Sequence, residues 1–240
     1  MRLLLGSGGF RTPERLALLT GEMRSFFGSV ERVLFVPYAL ADYDGYLERM
    51  AARRLDAGLT LEGIHRAPDP VQAVEEAAAV YVGGGNSFRL LDKLYELGLL
   101  EPIRRRVRTG MPYMGVSAGS NMACPTLMTT NDMPIVQPSG FEALGLVPFQ
   151  INPHYFSGQI FVRAGDGFQE HFGETRDDRI AEYHEVNDLP VIGLREGGIL
   201  RVEEGRYRLV GAPARLFQKG REAVDIEPGQ PIWPPPEALP

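Results

Sequence analysis

A serine stands between two glycines at the end of a short apolar strand, in the run Gly115-Val116-Ser117-Ala118-Gly119. The pattern G-x-S-x-G is typical of a nucleophile elbow, a strained strand-to-helix turn that lifts the hydroxyl above the sheet. The two glycines allow the backbones around the turn to approach closely. Because small residues also form ordinary tight turns, the pattern by itself predicts a nucleophilic serine and leaves a purely structural turn open.

A nucleophilic serine needs a base that takes its proton, and the chain has four histidines. His154 is the favoured base, because Pro153 fixes the backbone just before it and a strand-like segment precedes it. His65 ends an apolar strand and His184 lies on a charge-rich helix, so both are predicted to be surface or packing residues. His171 stays ambiguous, in a segment that we expect to be a loop.

Hydrolysis through a serine also needs two N–H donors that stabilise the negative oxygen of the intermediate. The N–H of Ala118, directly after the serine, is the first candidate. The second comes from the run Gly83-Gly84-Gly85-Asn86, which ends a strand and opens a helix. Either Gly84 or Gly85 could donate, and we select Gly85. A phosphate-binding loop is the rival interpretation, but the run lacks a Walker lysine and the G-x-G-x-x-G spacing.

Short apolar strands alternate with amphipathic helices in the part of the chain that leads to the serine. Thr12 as N-cap and Pro13 at the first helical position mark the start of the first helix. Such alternation predicts an α/β fold with a mostly parallel, doubly wound sheet and helices on both faces. Ligands bind beyond the carboxyl ends of such strands, where the serine, the glycine run and Glu196 all fall.

The C-terminal third predicts two further features. Gly198–Val202 and Tyr207–Val210 are typical of a β-hairpin that turns at Glu204-Gly205. Residues 228–240 are proline-rich and predict an extended tail that follows a single domain of residues 1–227.

Two apolar side chains in that tail, Ile232 and Trp233, should not remain fully hydrated. We therefore expect them to pack on their own chain or on a second subunit. A homodimer formed through the C-terminal tail is the assembly that this second arrangement predicts.

Composition narrows the classes of function. The chain of 240 residues carries 25 basic and 31 acidic side chains, a net charge of −6, with no long run of either sign. Nucleic-acid binding is disfavoured, because it needs a clustered basic surface. The single cysteine, Cys124, excludes an intramolecular disulfide and a cysteine-rich metal site. No apolar run reaches the length that a bilayer requires, so the sequence predicts a soluble, cytoplasmic protein without a membrane partner.

Longer motifs make a resemblance to one family specific. They are Val82–Asn86, Ser117–Thr126, Thr129–Val136, Ile151–His154 and Gly173–Arg176. In order and spacing they closely resemble peptidase E, the family of α-aspartyl dipeptidases, except between His154 and Gly173. The similarity covers most of the chain, from Leu3 to about Phe217.

The resemblance implies a fold like that of the class I glutamine amidotransferases, with serine in place of cysteine at the elbow. It also implies a cofactor-free, metal-free hydrolase of dipeptides with an N-terminal aspartate. Ser117 corresponds to the nucleophile and His154 to its base. Both Asp132 and Glu196 align with carboxylates proposed to matter in the family. We favour Glu196 as the third triad member because it follows a strand at the active-site edge, whereas Asp132 lies in a loop suited to contacting substrate or forming a turn.

Arg176 corresponds to the residue that is expected to bind the aspartate side chain. The local pattern agrees, because Thr175 and Asp178 predict a capping box that places Arg176 in the first turn of a helix, where the dipole favours an anion. From the residues alone, an exposed arginine on a charged helix is the alternative. Asn86 and Asp132 are further predicted substrate contacts.

Two regions depart from the family pattern. Residues 157–172 form a longer, glycine-containing segment, which we expect to be a flexible active-site loop. The proline-rich tail, residues 228–240, also extends beyond the family pattern.

Two other functions stay open. A cyanophycinase-like or isoaspartyl peptide hydrolase would share the elbow and the fold, but Arg176 and the Asn131-Asp132 loop argue against it. A non-catalytic, ligand-binding relative would be expected to have lost the serine, the histidine or the glycine run, and the chain retains all three.

Overall fold

The structure, a computed structural model, describes residues 1–230 and Ile232. The strands are β1 (Arg2–Gly6), β2 (Arg32–Val36), β3 (Thr60–Gly63), β4 (Val80–Val82), β5 (Tyr113–Val116), β6 (Gln150–Tyr155), β7 (Ile160–Ala164), β8 (Gly167–His171), β9 (Val191–Arg195), β10 (Ile199–Glu203), β11 (Arg206–Val210), β12 (Ala214–Phe217) and β13 (Val224–Ile226). The helices are α1 (Pro13–Phe27), α2 (Tyr43–Ala52), α3 (Pro70–Glu76), α4 (Ser87–Glu96), α5 (Leu100–Arg108), α6 (Ala118–Ala123) and α7 (Arg176–Val186). Across the described residues, no helix has both the length and the apolar character needed to cross a membrane.

Two main sheets organise the strands. The larger has the order β11-β10-β1-β5-β4-β2-β3. Five of these strands, β1, β5, β4, β2 and β3, pair in parallel with their neighbours in that series. The antiparallel β10 and β11 are the predicted C-terminal hairpin. The smaller sheet has the order β13-β12-β9-β6, with β6 and β9 parallel. The predicted α/β class is confirmed, whereas the smaller sheet is a feature that the sequence pattern does not predict.

Helices cover both faces of the larger sheet, as predicted. Side chains alternate along each strand, so Leu4 packs in the cluster formed with α1 and α2, whereas Leu3 packs in the cluster formed with α3 to α6. The second cluster also contains Ile151 of β6 and Ile192 of β9. The two sheets therefore share one core, and this core sets their relative position.

The segment 157–172 forms an antiparallel hairpin, with β7 paired to β8 from Ile160↔His171 to Ala164↔Gly167. The prediction of a loop is therefore wrong. The run Ile160-Phe161-Val162 carries the β-branched and aromatic signal of a strand, which the neighbouring glycines obscured. Phe161 is 59% exposed and Phe168 is 75% exposed, so the hairpin adds little to the core.

The start of the C-terminal tail packs on its own chain. The N–H of Gly229 donates to the carbonyl of Leu209 in β11 at 3.1 Å. Ile232 is 1% exposed and belongs to the cluster that the two sheets share. Trp233 lies outside the described residues, and the homodimer through the tail stays a prediction.

Ser117 directly follows β5, at a point where the backbones of β4, β5 and α6 pack closely together. A Cβ on Gly119 would overlap the carbonyl oxygen of Val82, and a Cβ on Gly115 would overlap the carbonyl oxygen of Gly119. The hydroxyl of Tyr113 donates to that same Gly119 oxygen at 2.6 Å. Glycine is thus required at both flanks of the elbow because the backbones touch.

We expect Gly119→Ala to lower the free energy of unfolding by about 1–3 kcal/mol or more, because the new methyl group meets backbone that cannot move aside. Gly21→Ala is the matched control, since a Cβ at this position in α1 meets no atom within 4 Å. It should raise stability by up to about 1 kcal/mol through helix propensity. Urea unfolding followed by circular dichroism measures both, and similar small effects would contradict the close approach.

Candidate active site

Three of the predicted residues meet at the carboxyl edge of the larger sheet. The Ser117 hydroxyl lies 2.8 Å from Nε2 of His154, and Nδ1 of His154 lies 2.6 Å from Oε1 of Glu196. A hydroxyl, an imidazole and a carboxylate joined in this order form the arrangement of a catalytic triad. The imidazole and the carboxylate are each about 40% exposed, which leaves them accessible to a substrate. In the described part of the chain, no group of three or more His, Cys, Asp or Glu residues could hold a metal ion.

Both members of the reacting pair have backbone conformations that are uncommon for residues with a side chain. The φ angle is +56° at Ser117 and +55° at His154. At the serine, the chain reverses from β5 into α6. At the histidine, the pairing of β6 with β9 shifts register between Pro153 and Tyr155. Such conformations persist only where the surrounding structure holds them, so the contacts around these two residues position the triad.

Ser7 connects three strands behind the histidine. Its side chain is fully buried, and its Oγ accepts the N–H of His154 at 2.8 Å while donating to the carbonyl of Leu194 at 2.8 Å. Ser7 follows β1 of the larger sheet, whereas its two partners belong to β6 and β9 of the smaller one. Sequence reasoning missed this residue, although the run Gly6-Ser7-Gly8-Gly9 ends a strand at the active-site edge.

Two asparagines hold the strand from the other side. The side-chain amide of Asn131 donates to the carbonyl of Pro153 at 2.6 Å, and its Oδ1 accepts from the amide of Asn152 at 2.8 Å. These bonds fix the residue that directly precedes His154. The Asn131 loop therefore contributes to the position of the base as well as to the rim of the site.

Two glycines pack against the base and the carboxylate. A Cβ on Gly8 would stand 2.5 Å from Cε1 of His154, and a Cβ on Gly9 would overlap Oε2 of Glu196. The carbonyl of Gly8 also accepts the N–H of Gly197 at 2.8 Å. The turn that carries Glu196 is thus held directly against the Gly8–Gly9 backbone, and no larger residue fits there.

The N–H groups of Ala118 and Gly85 are the predicted donors of an oxyanion hole. Ala118 is the first residue of α6, so its N–H has no partner within the helix. A Cβ on Gly84 would lie 3.1 Å from Cβ of Ser117, which places the glycine run against the nucleophile. Burial raises the pKa of Tyr46 to about 12, and the backbone of Gly84 acts in the opposite direction. Among the described residues, the N–H groups of Ala118 and Gly85 have no acceptor.

Helix α4 holds the loop that contains Asp132. Oδ2 of Asp132 accepts the N–H of Ser87 at 2.8 Å, so its carboxylate is directed to the start of α4 and not to His154. Asn86 caps the same helix by accepting the N–H of Arg89 at 3.0 Å, and its amide donates to the carbonyl of Met133 at 2.9 Å. The Asn86 side chain therefore bonds the helix through its oxygen and the loop through its nitrogen.

The predicted capping box at the start of α7 is confirmed. Thr175 Oγ1 accepts the N–H of Asp178 at 3.1 Å, and the Asp178 carboxylate accepts the N–H of Thr175 at 2.8 Å. Arg176 is consequently the first residue of the helix. Its guanidinium lies 5.5 Å from the ring centre of Phe156, two residues beyond His154 in the chain.

The Arg176 guanidinium lacks a full set of partners. Its Nε is buried, and within the described residues it has no hydrogen-bond acceptor. Burial lowers the pKa of Arg176, the charge of Arg179 acts in the same direction, and the charge of Asp132 opposes both. A buried guanidinium nitrogen without an acceptor is unfavourable, and an anion that contacted this partly buried side chain would supply one.

The fold and the triad geometry define an α/β serine hydrolase. The model of peptidase family S51 matches residues 2–210. The chain therefore belongs to peptidase family S51. The prediction of a serine-type peptidase is confirmed.

Individual relatives agree with this assignment. A Streptomyces coelicolor protein named Peptidase E is 53% identical over 205 residues, which are 85% of this chain and 82% of the relative. A Drosophila melanogaster protein named "Probable alpha-aspartyl dipeptidase" is 44% identical over 230 residues, 94% of this chain and 93% of the relative. The solved structure of a peptidase from an acI-B1 Actinobacterium shares the fold, with a TM-score of 0.66 over 96% of both chains at 18% identity. The resemblance to the peptidase E family is confirmed.

We expect Ser7→Ala to lower kcat by about tenfold or more with little change in KM, because the imidazole is displaced from the serine while substrate contacts persist. Thr129→Val is the matched control. Its buried hydroxyl donates to the carbonyl of Ile151 at 2.9 Å, in the same strand as His154. Both variants should lose stability, and only Ser7→Ala should lose turnover. Equal effects of the two variants on kcat would show that Ser7 is merely structural.

Proposed function

We propose that the protein hydrolyses dipeptides whose first residue is aspartate. The observation that carries the proposal is Arg176, a partly buried cation with an unpaired Nε that lies against Phe156, two residues after the base of the triad in the chain. A side-chain carboxylate supplies the acceptor that this nitrogen lacks. The name of the Drosophila relative, which refers to an alpha-aspartyl dipeptidase, supports the same substrate class.

In the proposed reaction, Oγ of Ser117 attacks the carbonyl carbon of the first peptide bond while Nε2 of His154 takes the hydroxyl proton. Glu196 holds the imidazole by its Nδ1–H and stabilises the positive charge that forms. The carbonyl oxygen becomes an oxyanion, which the N–H groups of Ala118 and Gly85 stabilise.

The intermediate then collapses. The C–N bond breaks, and His154 returns the proton to the leaving amine, which departs as the second amino acid. The aspartyl group stays on Ser117 as an ester. Water, deprotonated by His154, attacks this ester, so free aspartate leaves and the serine regains its proton.

Charge explains how aspartate is selected in this proposal. The planar guanidinium of Arg176 offers paired donors that match the geometry of a carboxylate. Asp132 lies close enough to influence the arginine and carries the opposite charge, so it suits the free α-ammonium group of the substrate. An aspartyl residue at the N-terminus presents both charges, and a residue inside a longer peptide lacks the ammonium group.

The triad assignment predicts a ranking of variants. Glu196→Gln should lower kcat more than Asp132→Asn, because only Glu196 contacts the imidazole, whereas Asp132→Asn should mainly raise KM. Ser117→Ala should lower the rate by several orders of magnitude and retain the native circular dichroism spectrum. Steady-state kinetics on Asp-Leu checks both points. The reverse ranking would give the third triad position to Asp132, and more than about a tenth of the activity in Ser117→Ala would refute the serine mechanism.

Substrate selection predicts a second kinetic result. Arg176→Ala should lower kcat/KM for Asp-Leu by roughly 30-fold to several thousandfold, the effect of leaving one charge of a desolvated pair unpartnered. The neutral analogue Asn-Leu should lose far less. Arg179→Ala is the matched control, because Arg179 lies on the same helix, is exposed and pairs with Glu174. A ratio of Asp-Leu to Asn-Leu that survives Arg176→Ala would assign aspartate recognition to another group.

A further inference from the structure

The end of strand β6 is bonded to the first turn of α7. The hydroxyl of Tyr155, the last residue of the strand, donates to Oδ1 of Asp177 at 2.7 Å. The next residue in the chain, Phe156, lies against Arg176. Two consecutive residues at the strand end therefore contact two consecutive residues at the helix start, and the same strand carries His154.

The tyrosine that makes this bond is closely packed. It is 1% exposed, its ring meets Phe217 edge-on at 5.6 Å between ring centres, and a Cβ on Gly193 would stand 2.6 Å from the ring. Burial raises the pKa of Tyr155, and the hydrogen bond to Asp177 raises it further, so the hydroxyl stays protonated and donates. The hydroxyl is thus a fixed point to which the start of α7 is attached.

Arg176 is also kept free of the acidic residues around it. Three acidic side chains lie within two positions of it in the chain, and each has another partner: Glu174 pairs with Arg179, Asp177 with Tyr155, and Asp178 with Thr175. Within the described residues, no hydrogen bond or ion pair joins the Arg176 guanidinium to a carboxylate.

The contact with Phe156 suits a cation that must stay available. The guanidinium carbon lies over the ring, 5.5 Å from its centre, within the range of a cation–π interaction. The face of an aromatic ring attracts the charge without accepting the N–H groups in a conventional hydrogen bond. The ring can therefore support the side chain and leave its donors to an acidic ligand.

We infer that Tyr155 and Phe156 are positioning residues for aspartate recognition: the Tyr155 hydroxyl fixes the start of α7 to β6, and the Phe156 ring supports the Arg176 guanidinium. The inference rests on the proposed function for the role of Arg176. In an aspartyl residue, the reacting carbonyl and the side-chain carboxylate are separated by only a few covalent bonds. The base and the selecting cation must keep a matching separation, and attachment of both to one strand end provides it.

The hydrogen bond is tested by the ratio of kcat/KM for Asp-Leu to kcat/KM for Asn-Leu. A change at the triad cancels in this ratio, because both substrates use the triad. Tyr155→Phe and Asp177→Ala should each lower the ratio by about three- to tenfold, and the double variant should lower it no further, because all three lack the same bond. Asp177→Asn keeps an acceptor oxygen and should retain the ratio within about twofold.

Tyr95→Phe is the matched control for the loss of a hydroxyl. Tyr95 lies on α4 and donates to the carbonyl of Glu142 at 3.0 Å, so the ratio should not change. A loss of stability in Tyr155→Phe with an unchanged ratio would show that the bond is merely structural. Additive losses in the double variant would show that the two residues do not act through one bond. Either result overturns the inference, and if Asp177→Ala does not fold, Tyr155→Phe against Tyr95→Phe decides alone.

The aromatic contact has its own test. Phe156→Leu should lower the ratio by about two- to tenfold, mainly through KM for Asp-Leu, whereas Phe156→Trp keeps an aromatic face and should retain it. Phe168→Leu removes a ring that is 75% exposed on the β7–β8 hairpin and should change neither substrate. A ratio that survives Phe156→Leu would exclude the ring from recognition.

Arg176→Ala separates this inference from the proposed function. If the wild type prefers Asp-Leu and Arg176→Ala abolishes the preference, while Tyr155→Phe and Phe156→Leu both keep it, the positioning inference alone is refuted. If the wild type shows no preference for Asp-Leu over Asn-Leu, the proposed function is refuted and the inference with it.

Discussion

The nucleophile and its base come from different sheets, and the whole site depends on how these sheets dock. Ser117 directly follows β5 of the larger sheet, whereas His154 lies in β6 of the smaller sheet and Glu196 directly follows the neighbouring parallel strand β9. A shift of one sheet by even 1 Å would break a hydrogen bond of 2.8 Å between the hydroxyl and the imidazole. The shared apolar core sets the approximate distance. The Ser7 hydroxyl, at the end of β1 of the larger sheet, bonds both β6 and β9 of the smaller one and so sets the final alignment.

Positive φ angles at both reacting residues show where the fold accepts strain. Each such conformation costs on the order of 1–3 kcal/mol and must be offset by the contacts around it. At the serine these contacts are the crossing of β4, β5 and α6. At the histidine they are the hydrogen bonds that Ser7 and Asn131 make to the two ends of the Pro153–His154 peptide group. The most strained positions of the site are therefore also its most tightly held ones.

Sequence patterns predicted those features of the fold and the site that depend on residues close together in the chain. The elbow, the C-terminal hairpin and the capping box before Arg176 each depend on residues only a few positions apart, and all three are present. The smaller sheet was not predicted, because the pairing of β6 with β9 joins segments about 40 residues apart. Ser7 was missed for the same reason, since its partners lie more than 140 positions away. Asp132 looked like a turn residue or a substrate contact, and its bond to Ser87 could not be inferred from its neighbours alone.

The glycines around the triad determine which parts of the protein can vary while the chemistry is kept. Gly8, Gly9 and Gly84 touch the reacting groups directly, so any side chain added there displaces the triad. Divergence toward new substrates is consequently confined to side chains farther out, at the start of α7 and on the loop that contains Asp132. Mutant libraries that randomise these outer positions should yield altered selectivity, whereas libraries of the same size that randomise the glycine turns should yield mostly inactive proteins.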